Sequence, residues 1–226
     1  MTRAIVALPP RIPQADLKCG DILLYRHLRQ SKMQAEISRK TASPYTHAAI
    51  YLGDGLILDA VLPKVRKISV THTIDRNTTI GVLRSQTPFT DCKKLNEFAD
   101  ILIKGKSKYD FLGVFNVIKQ RKLLDENMLK IVNENYEKSI LDEKYEKSAY
   151  FCSGLVVACY CVAGPIGSSA RIIYNPAAYA PGHLYKQPTF GWVLGYLDEG
   201  SLDTPDDDPL QFETRWDAQS APHWWS

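Results

Sequence analysis

The sequence predicts an α+β fold: an antiparallel sheet or small barrel packed on a central helix that carries a cysteine. Three observations predict it. Short apolar runs separated by Gly, Asp and Pro turns fill residues 20–84, the pattern of consecutive strands. From residue 91 onward apolar residues recur at helical spacing instead. Residues 151–162 are then apolar nearly all round, as in a helix buried on every side.

The elements follow in order. Residues 20–26 open on Gly20-Asp21 and run through Ile22-Leu23-Leu24-Tyr25, a buried strand. Residues 30–40 are polar and suit a short helix. After the Ser43-Pro44-Tyr45 turn, residues 46–52 and 56–60 are two apolar strands around Gly53-Asp54-Gly55, a hairpin signal. Residues 67–70 and 79–84 supply further strands. Leu95, Phe98, Ala99, Ile101 and Leu102 give a helix over 91–104. Residues 109–118 suit another helix, and 119–147 read as a charged, solvent-exposed helical insertion. Gly164-Pro165 ends the apolar helix. Residues 174–196 are loop and short strand. On this reading residues 1–200 form one catalytic domain, and 201–226 are an extended acidic tail carrying Trp216, Trp224 and Trp225.

Bulk properties narrow the function classes. The chain of 226 residues is 45% hydrophobic and 23% charged, ordinary for a globular domain. A net charge of +3 gives no basic field for nucleic acid. No run reaches the roughly 20 apolar residues that span a bilayer. The first ten residues, broken by Pro9 and Pro10, lack the pattern of a signal peptide, so the expected location is cytoplasmic, with signal-less export as the alternative. Five cysteines without a CxxC pair argue against a disulfide framework or a zinc finger.

One of those cysteines has chemistry open to it. Cys152 stands where the apolar helix begins, in Tyr150-Phe151-Cys152-Ser153-Gly154. The free N–H groups and dipole of a helix N-terminus favour a thiolate, and they suit an oxyanion on a bound carbonyl. A cysteine on an apolar helix is as often a space-filling core residue, which is the reading for Cys159 and Cys161. A nucleophilic thiol needs a base. His47 is the best placed of the five histidines, directly after a turn at the head of a strand. His183, in a Pro-Gly loop, stays open. The base needs an orienting acid, and Asp59 sits in the otherwise apolar Leu-Ile-Leu-Asp-Ala strand, where a carboxylate is costly without a partner. Counting outward from Asp54, His47 and Asp59 are a diagonal step apart, within reach if a bulge shifts the register.

In this order the residues resemble the permuted branch of the NlpC superfamily of papain-like hydrolases, the YiiX/YebB-like proteins related to lecithin retinol acyltransferase. The motifs are Gly20-Asp21, Thr46-His47-Ala48-Ala49-Ile50-Tyr51, Gly53-Asp54-Gly55, Asp59, Tyr109-Asp110-Phe111, Tyr150-Phe151-Cys152-Ser153 and Pro181-Gly182. They cover residues 17–196, each short and their joint order specific. The resemblance implies a circularly permuted papain-like fold with the histidine sheet ahead of the cysteine helix. Asp59 departs from the Glu frequent in this branch, and Gly154 from the Glu frequent after Cys-Ser.

Together these readings make Cys152, His47 and Asp59 the candidate catalytic set of a cysteine hydrolase. It would cleave an amide of peptide or cell-wall peptide type through a thioester. Tyr25, Ser153 and Asp21 are further candidates for contact with substrate or oxyanion. Two other readings stand beside this one: a lipid acyl hydrolase or acyltransferase, and a non-catalytic module whose tail docks a partner or its own domain. No cofactor is called for. A zinc site of Cys152, His47 and Asp59 has suitable ligand types but no compact spacing.

Overall fold

The computed structural model describes residues 9–87, 89, 92–135, 137–138, 140–146, 149–198 and 204–212. Among them the chain is a mixed α+β structure. Seven strands form one open sheet: β1 (Arg11–Ile12), β2 (Ile22–His27), β3 (His47–Gly53), β4 (Leu56–Val61), β5 (Lys64–Ser69), β6 (Thr78–Arg84) and β7 (Trp192–Leu197), in the order β1-β7-β6-β2-β3-β4-β5. All neighbours are antiparallel except β1 and β7. Of the two expected forms, an antiparallel sheet and a small barrel, the first is present. β1 and β5 end the sheet without pairing to each other.

Six helices accompany it: α1 (Lys32–Thr41), α2 (Cys92–Lys104), α3 (Phe111–Asn135), α4 (Glu143–Glu146), α5 (Cys152–Val162) and α6 (Pro181–Leu184). Strand alternation sorts the core into two faces. Ile22, Leu24, Ala48, Ile50 and Leu58 meet α5 and the buried stripe of α2, Leu95, Phe98, Ala99 and Leu102. Leu23, Tyr25, Ala49, Tyr51, Ile57, Ile80 and Val82 form the smaller cluster on the other face. Every residue of α5 is buried, as its all-round apolar sequence requires.

Local chemistry fixes the ends of the elements that carry the site. Ser31 and Gln34 form a reciprocal capping box that starts α1. Asp54 and Gly55, at φ 51° and 74°, form the two-residue turn between β3 and β4, and a primed turn of this kind requires φ > 0 at both positions. Asp110 accepts the Gly113 N–H at 2.7 Å and so caps the start of α3.

Several expectations need revision. Residues 109–118 and the first part of the 119–147 segment are not separate pieces, because α3 runs unbroken to Asn135 and buries Val114, Val117 and Leu124. The tail is not extended throughout. Residues 204–212 turn back onto the sheet, where Leu210 is fully buried. Asp208, also fully buried, accepts from the Tyr45 and Tyr196 hydroxyls at 2.9 and 2.8 Å and pairs with Arg26 at 2.9 Å. Trp216, Trp224 and Trp225 lie outside the described residues. The cysteine reading also changes, since Cys19 and Cys92 form a disulfide that ties the start of β2 to the start of α2, with Cα atoms 6.1 Å apart. Linear spacing hid it, because the two stand 73 positions apart.

Candidate active site

The head of β3, the middle of β4 and β5, and the first residue of α5 converge on one cleft of about 290 Å³. It is lined by Cys152, His47, Asp59, Arg66, Tyr25 and Tyr109, among others. Within it Asp59 Oδ2 lies 3.6 Å from His47 Nε2, an ion-pair contact rather than a short hydrogen bond.

A bulge makes that contact possible. Gly53 pairs with Leu56, but Tyr51 pairs with Ile57, so Leu52 is an extra residue in β3. In the register set by the turn alone, Asp59 would face Ile50 and its side chain would leave the sheet on the side away from His47. The extra residue shifts the pairing to Ala49 and Asp59. Ala49 and His47 share a face, so Asp59 stands diagonal to His47 on that face.

Two anchors set the axial position of α5. The Ser153 hydroxyl donates to the Tyr179 carbonyl at 2.7 Å. At the other end the Tyr160 hydroxyl donates to the carbonyls of Gly20 and Phe190. Gly154 allows close packing, since a Cβ there would stand 2.9 Å from the Pro176 carbonyl oxygen. Phe151, the N-cap, offers no side-chain cap to the first turn. The backbone N–H groups of Ser153 and Ala48 act on the Cys152 sulfur in favour of its thiolate.

The electrostatics favour charge separation. Burial works against a thiolate on Cys152, but the His47 ring and those two N–H groups outweigh it, and the thiol titrates below its ordinary value. Burial also opposes an imidazolium on His47, whose side chain is 18% exposed. The Asp59 carboxylate and the Cys152 sulfur outweigh burial and raise His47 to about 9. Asp59 is itself almost fully buried, and burial would raise it. His47 and Arg66 prevail and hold it below the ordinary carboxylate value. The three groups therefore suit a thiolate, an imidazolium and a carboxylate at neutral pH.

Arg66 escaped the sequence reading. Its guanidinium grips Asp59 with two bonds, Nε to Oδ1 at 2.9 Å and a terminal nitrogen to Oδ2 at 3.2 Å. It stands directly across the β4–β5 hairpin from Asp59. Counting that second hairpin would have found it, but no turn motif fixes the register around Leu62 and Pro63.

Tyr109, named in sequence only as part of a motif, also lines the cleft. Burial, then the negative charge of Cys152 and of Asp110, raises its hydroxyl well above the ordinary tyrosine value, so it stays protonated and can donate. Thr46 lines the cleft as well, and its buried hydroxyl has no hydrogen-bond partner among the described residues.

The remaining candidates divide. Tyr25 is beside the site, with its ring 5.1 Å from the His47 ring. Its hydroxyl is engaged by Thr73 at 3.0 Å, so it walls the imidazole rather than offering a free donor. The Ser153 hydroxyl is committed to Tyr179, so the residue favours the thiolate through its backbone N–H. Asp21 is not brought to the cleft. It lies four residues before Tyr25, about 13 Å along an extended chain, and Arg84 grips its carboxylate at 2.9 and 2.7 Å. Its role is to tie β2 to β6.

His27 and His72 line the cleft. His183 does not; its Nδ1 accepts the Ala180 N–H at 3.0 Å. Burial, then the charges of Arg121 and Lys186, hold it neutral at about 4. Cys159 and Cys161 are fully buried, and burial raises both thiols, Cys161 to about 11. Among the described residues no group of three or more His, Cys, Asp or Glu side chains is placed to hold a metal ion. No helix among them is long and apolar enough to cross a membrane. No protein-family model matches the chain, and no curated protein matches it.

Proposed function

We propose that the chain is a cysteine-nucleophile hydrolase or acyltransferase, built as a circularly permuted papain-like fold of the NlpC, YiiX/YebB-like type. The observation that carries the proposal is the convergence of Cys152, His47 and the Arg66-held Asp59 in one cleft, with the thiol at the uncapped N-terminus of a buried helix. An inert core cysteine such as Cys159 has no base, no approaching N–H pair and a raised thiol.

The reaction follows from these groups. With Nε2 of His47 facing Asp59, Nδ1 takes the Cys152 proton. The thiolate attacks the carbonyl carbon of an amide and forms a C–S bond. The Cys152 N–H and the Tyr109 hydroxyl hold the oxyanion. The C–N bond breaks as His47 returns the proton to the leaving amine. Water then attacks the thioester while His47 takes its proton, releasing the acid and restoring the thiol. Arg66 keeps Asp59 ionised and oriented, and Asp59 supports the imidazolium.

The preferred substrate is a peptide-type amide. An acyl ester of lipid type is favoured by one feature, the apolar wall that Met33, Ile37 and Leu62 give the cleft. Intact-mass analysis after incubation with peptide amides and with long-chain acyl esters tests both readings. An adduct on Cys152, absent in Cys152→Ala, supports the mechanism, and its mass identifies the acyl group. Turnover retained by Cys152→Ala would sink the mechanism, and absence of any thiol reactivity at neutral pH would favour the non-catalytic module. The Cys19–Cys92 disulfide favours a setting that oxidises thiols, which suits export better than residence in the cytoplasm.

A further inference from the structure

The mouth of the cleft is bordered by apolar side chains that the fold leaves uncovered. Leu62, at the tip of the β4–β5 hairpin, is 63% exposed, and Phe111, Leu112 and Phe115, in the first turns of α3, are 45%, 71% and 37% exposed. Large apolar side chains scattered singly need no explanation, but a contiguous group marks an interaction surface. The backbone brings these close together. The Tyr109 N–H donates to the Pro63 carbonyl at 2.9 Å, which sets the hairpin tip against the chain two residues before Phe111. The Phe111 and Phe115 rings are 5.1 Å apart. The ridge also adjoins the thiol, since Leu62 and Tyr109 line the same cleft as Cys152.

The charges beside the ridge are cationic. Lys64 and Lys108 are exposed, form a backbone bridge to one another and make no ion pair among the described residues. The Lys40 ammonium lies 5.1 Å from the centre of the Phe115 ring. The nearby carboxylates are engaged locally. Asp110 caps α3, Glu36 is paired with Arg39 and Lys40, and Asp59 is buried under Arg66.

We propose that this ridge, from Leu62 to Phe115 with Lys64 and Lys108 beside it, is a docking surface for an anionic phospholipid bilayer. Leucine and phenylalanine side chains would enter the acyl boundary while the lysines meet lipid phosphates, the division of labour that holds interfacial proteins to anionic membranes. A second copy of the chain fits less well, because pairing two such ridges brings like charges together. Docking would turn the mouth of the cleft toward the lipid surface. The proposal goes beyond the thiol chemistry and does not depend on it.

The test uses the full chain as Cys152→Ala, which separates docking from turnover. Sedimentation is measured with vesicles of phosphatidylcholine alone and with vesicles containing phosphatidylglycerol. Binding to the anionic vesicles, weakened by salt, is expected. Leu62→Asp with Leu112→Asp should reduce it by about tenfold or more, because two apolar anchors are replaced by repelled charges. Lys64→Glu with Lys108→Glu, which leaves the apolar residues in place, should remove the preference for anionic lipid. Circular dichroism confirms that each variant is folded. Absence of binding to anionic vesicles, or equal binding by both folded double variants, would overturn the proposal. So would a dimer in solution that the Leu62→Asp, Leu112→Asp pair dissolves, since the ridge would then be a contact between copies.

Discussion

Asp59→Asn is the substitution that tests the charge arrangement most directly. The wild-type imidazole is held at about 9 against an ordinary 6.5. At about 1.4 kcal/mol per pH unit, that difference corresponds to about 3 kcal/mol in favour of the imidazolium. Asp59 and the Cys152 sulfur share the work of holding it against burial. Removing the carboxylate charge should then take away at least half, roughly 1.5 kcal/mol or more, a fall of about tenfold or more in the equilibrium constant for the thiolate–imidazolium pair. The sign at each limb follows. With a weaker cation beside it the thiol titrates higher, so the acid limb of reactivity moves up in pH. The imidazolium loses its proton earlier, so the alkaline limb moves down. The rate of Cys152 alkylation by iodoacetamide as a function of pH reads the acid limb and needs no substrate, while the alkaline decline of turnover, which needs the imidazolium as proton donor, reads the other limb. In Asp59→Asn the acid limb is expected at higher pH and the alkaline limb at lower pH than in the wild type, with the far-ultraviolet circular dichroism unchanged. A profile that keeps the wild-type limbs would refute the idea that Asp59 supports the ion pair.

The other predictions concern the oxyanion, the tail and the disulfide. Tyr109→Phe should lower kcat by about tenfold to a hundredfold, the range for one lost oxyanion donor or slightly below it, while leaving the iodoacetamide profile in place; an unchanged kcat would remove Tyr109 from the mechanism. Asp208→Ala leaves two tyrosine hydroxyls and Arg26 without their buried acceptor, at a cost of about 3–5 kcal/mol, which denaturant unfolding would show as a lower midpoint. A midpoint within experimental error of wild type would mean that residues 204–212 do not hold the sheet. Reducing Cys19–Cys92 opens a loop spanning 73 residues and should lower stability by about 2–4 kcal/mol. Cys152, remote from that bond, should keep its alkylation rate under conditions where the protein stays folded, and a lost rate would couple the disulfide to the site.

The sequence determined the parts of this protein whose signal is local. The apolar alternation of residues 46–60 around Gly53-Asp54-Gly55 specifies β3, β4 and their turn, and the continuous apolar run of 151–162 specifies a buried helix opening on Cys152. His47 and Asp59 were legible as candidates because a histidine after a turn and an aspartate in an apolar strand both stand out from their surroundings. Their contact was legible only as a condition, a bulge that the sequence does not place. It depends on Leu52 being bulged from the ladder, and only the packing of β3 between β2 and β4 decides which residue is extra. Arg66 was hidden for the same reason, because its register across from Asp59 is set by pairing rather than by composition. Asp21 misled because its motif marks the start of a strand, whereas its distance from the cleft is set by how far β2 runs. Cys19 and Cys92 became partners only when α2 folded onto the sheet, and the buried Asp208 acquired its role only when the chain returned to Tyr45 and Tyr196. Local pattern sets the element and its exposed or buried face. Long-range pairing sets which side chains share a site, because a shift of one residue in an antiparallel ladder moves a side chain to the opposite face.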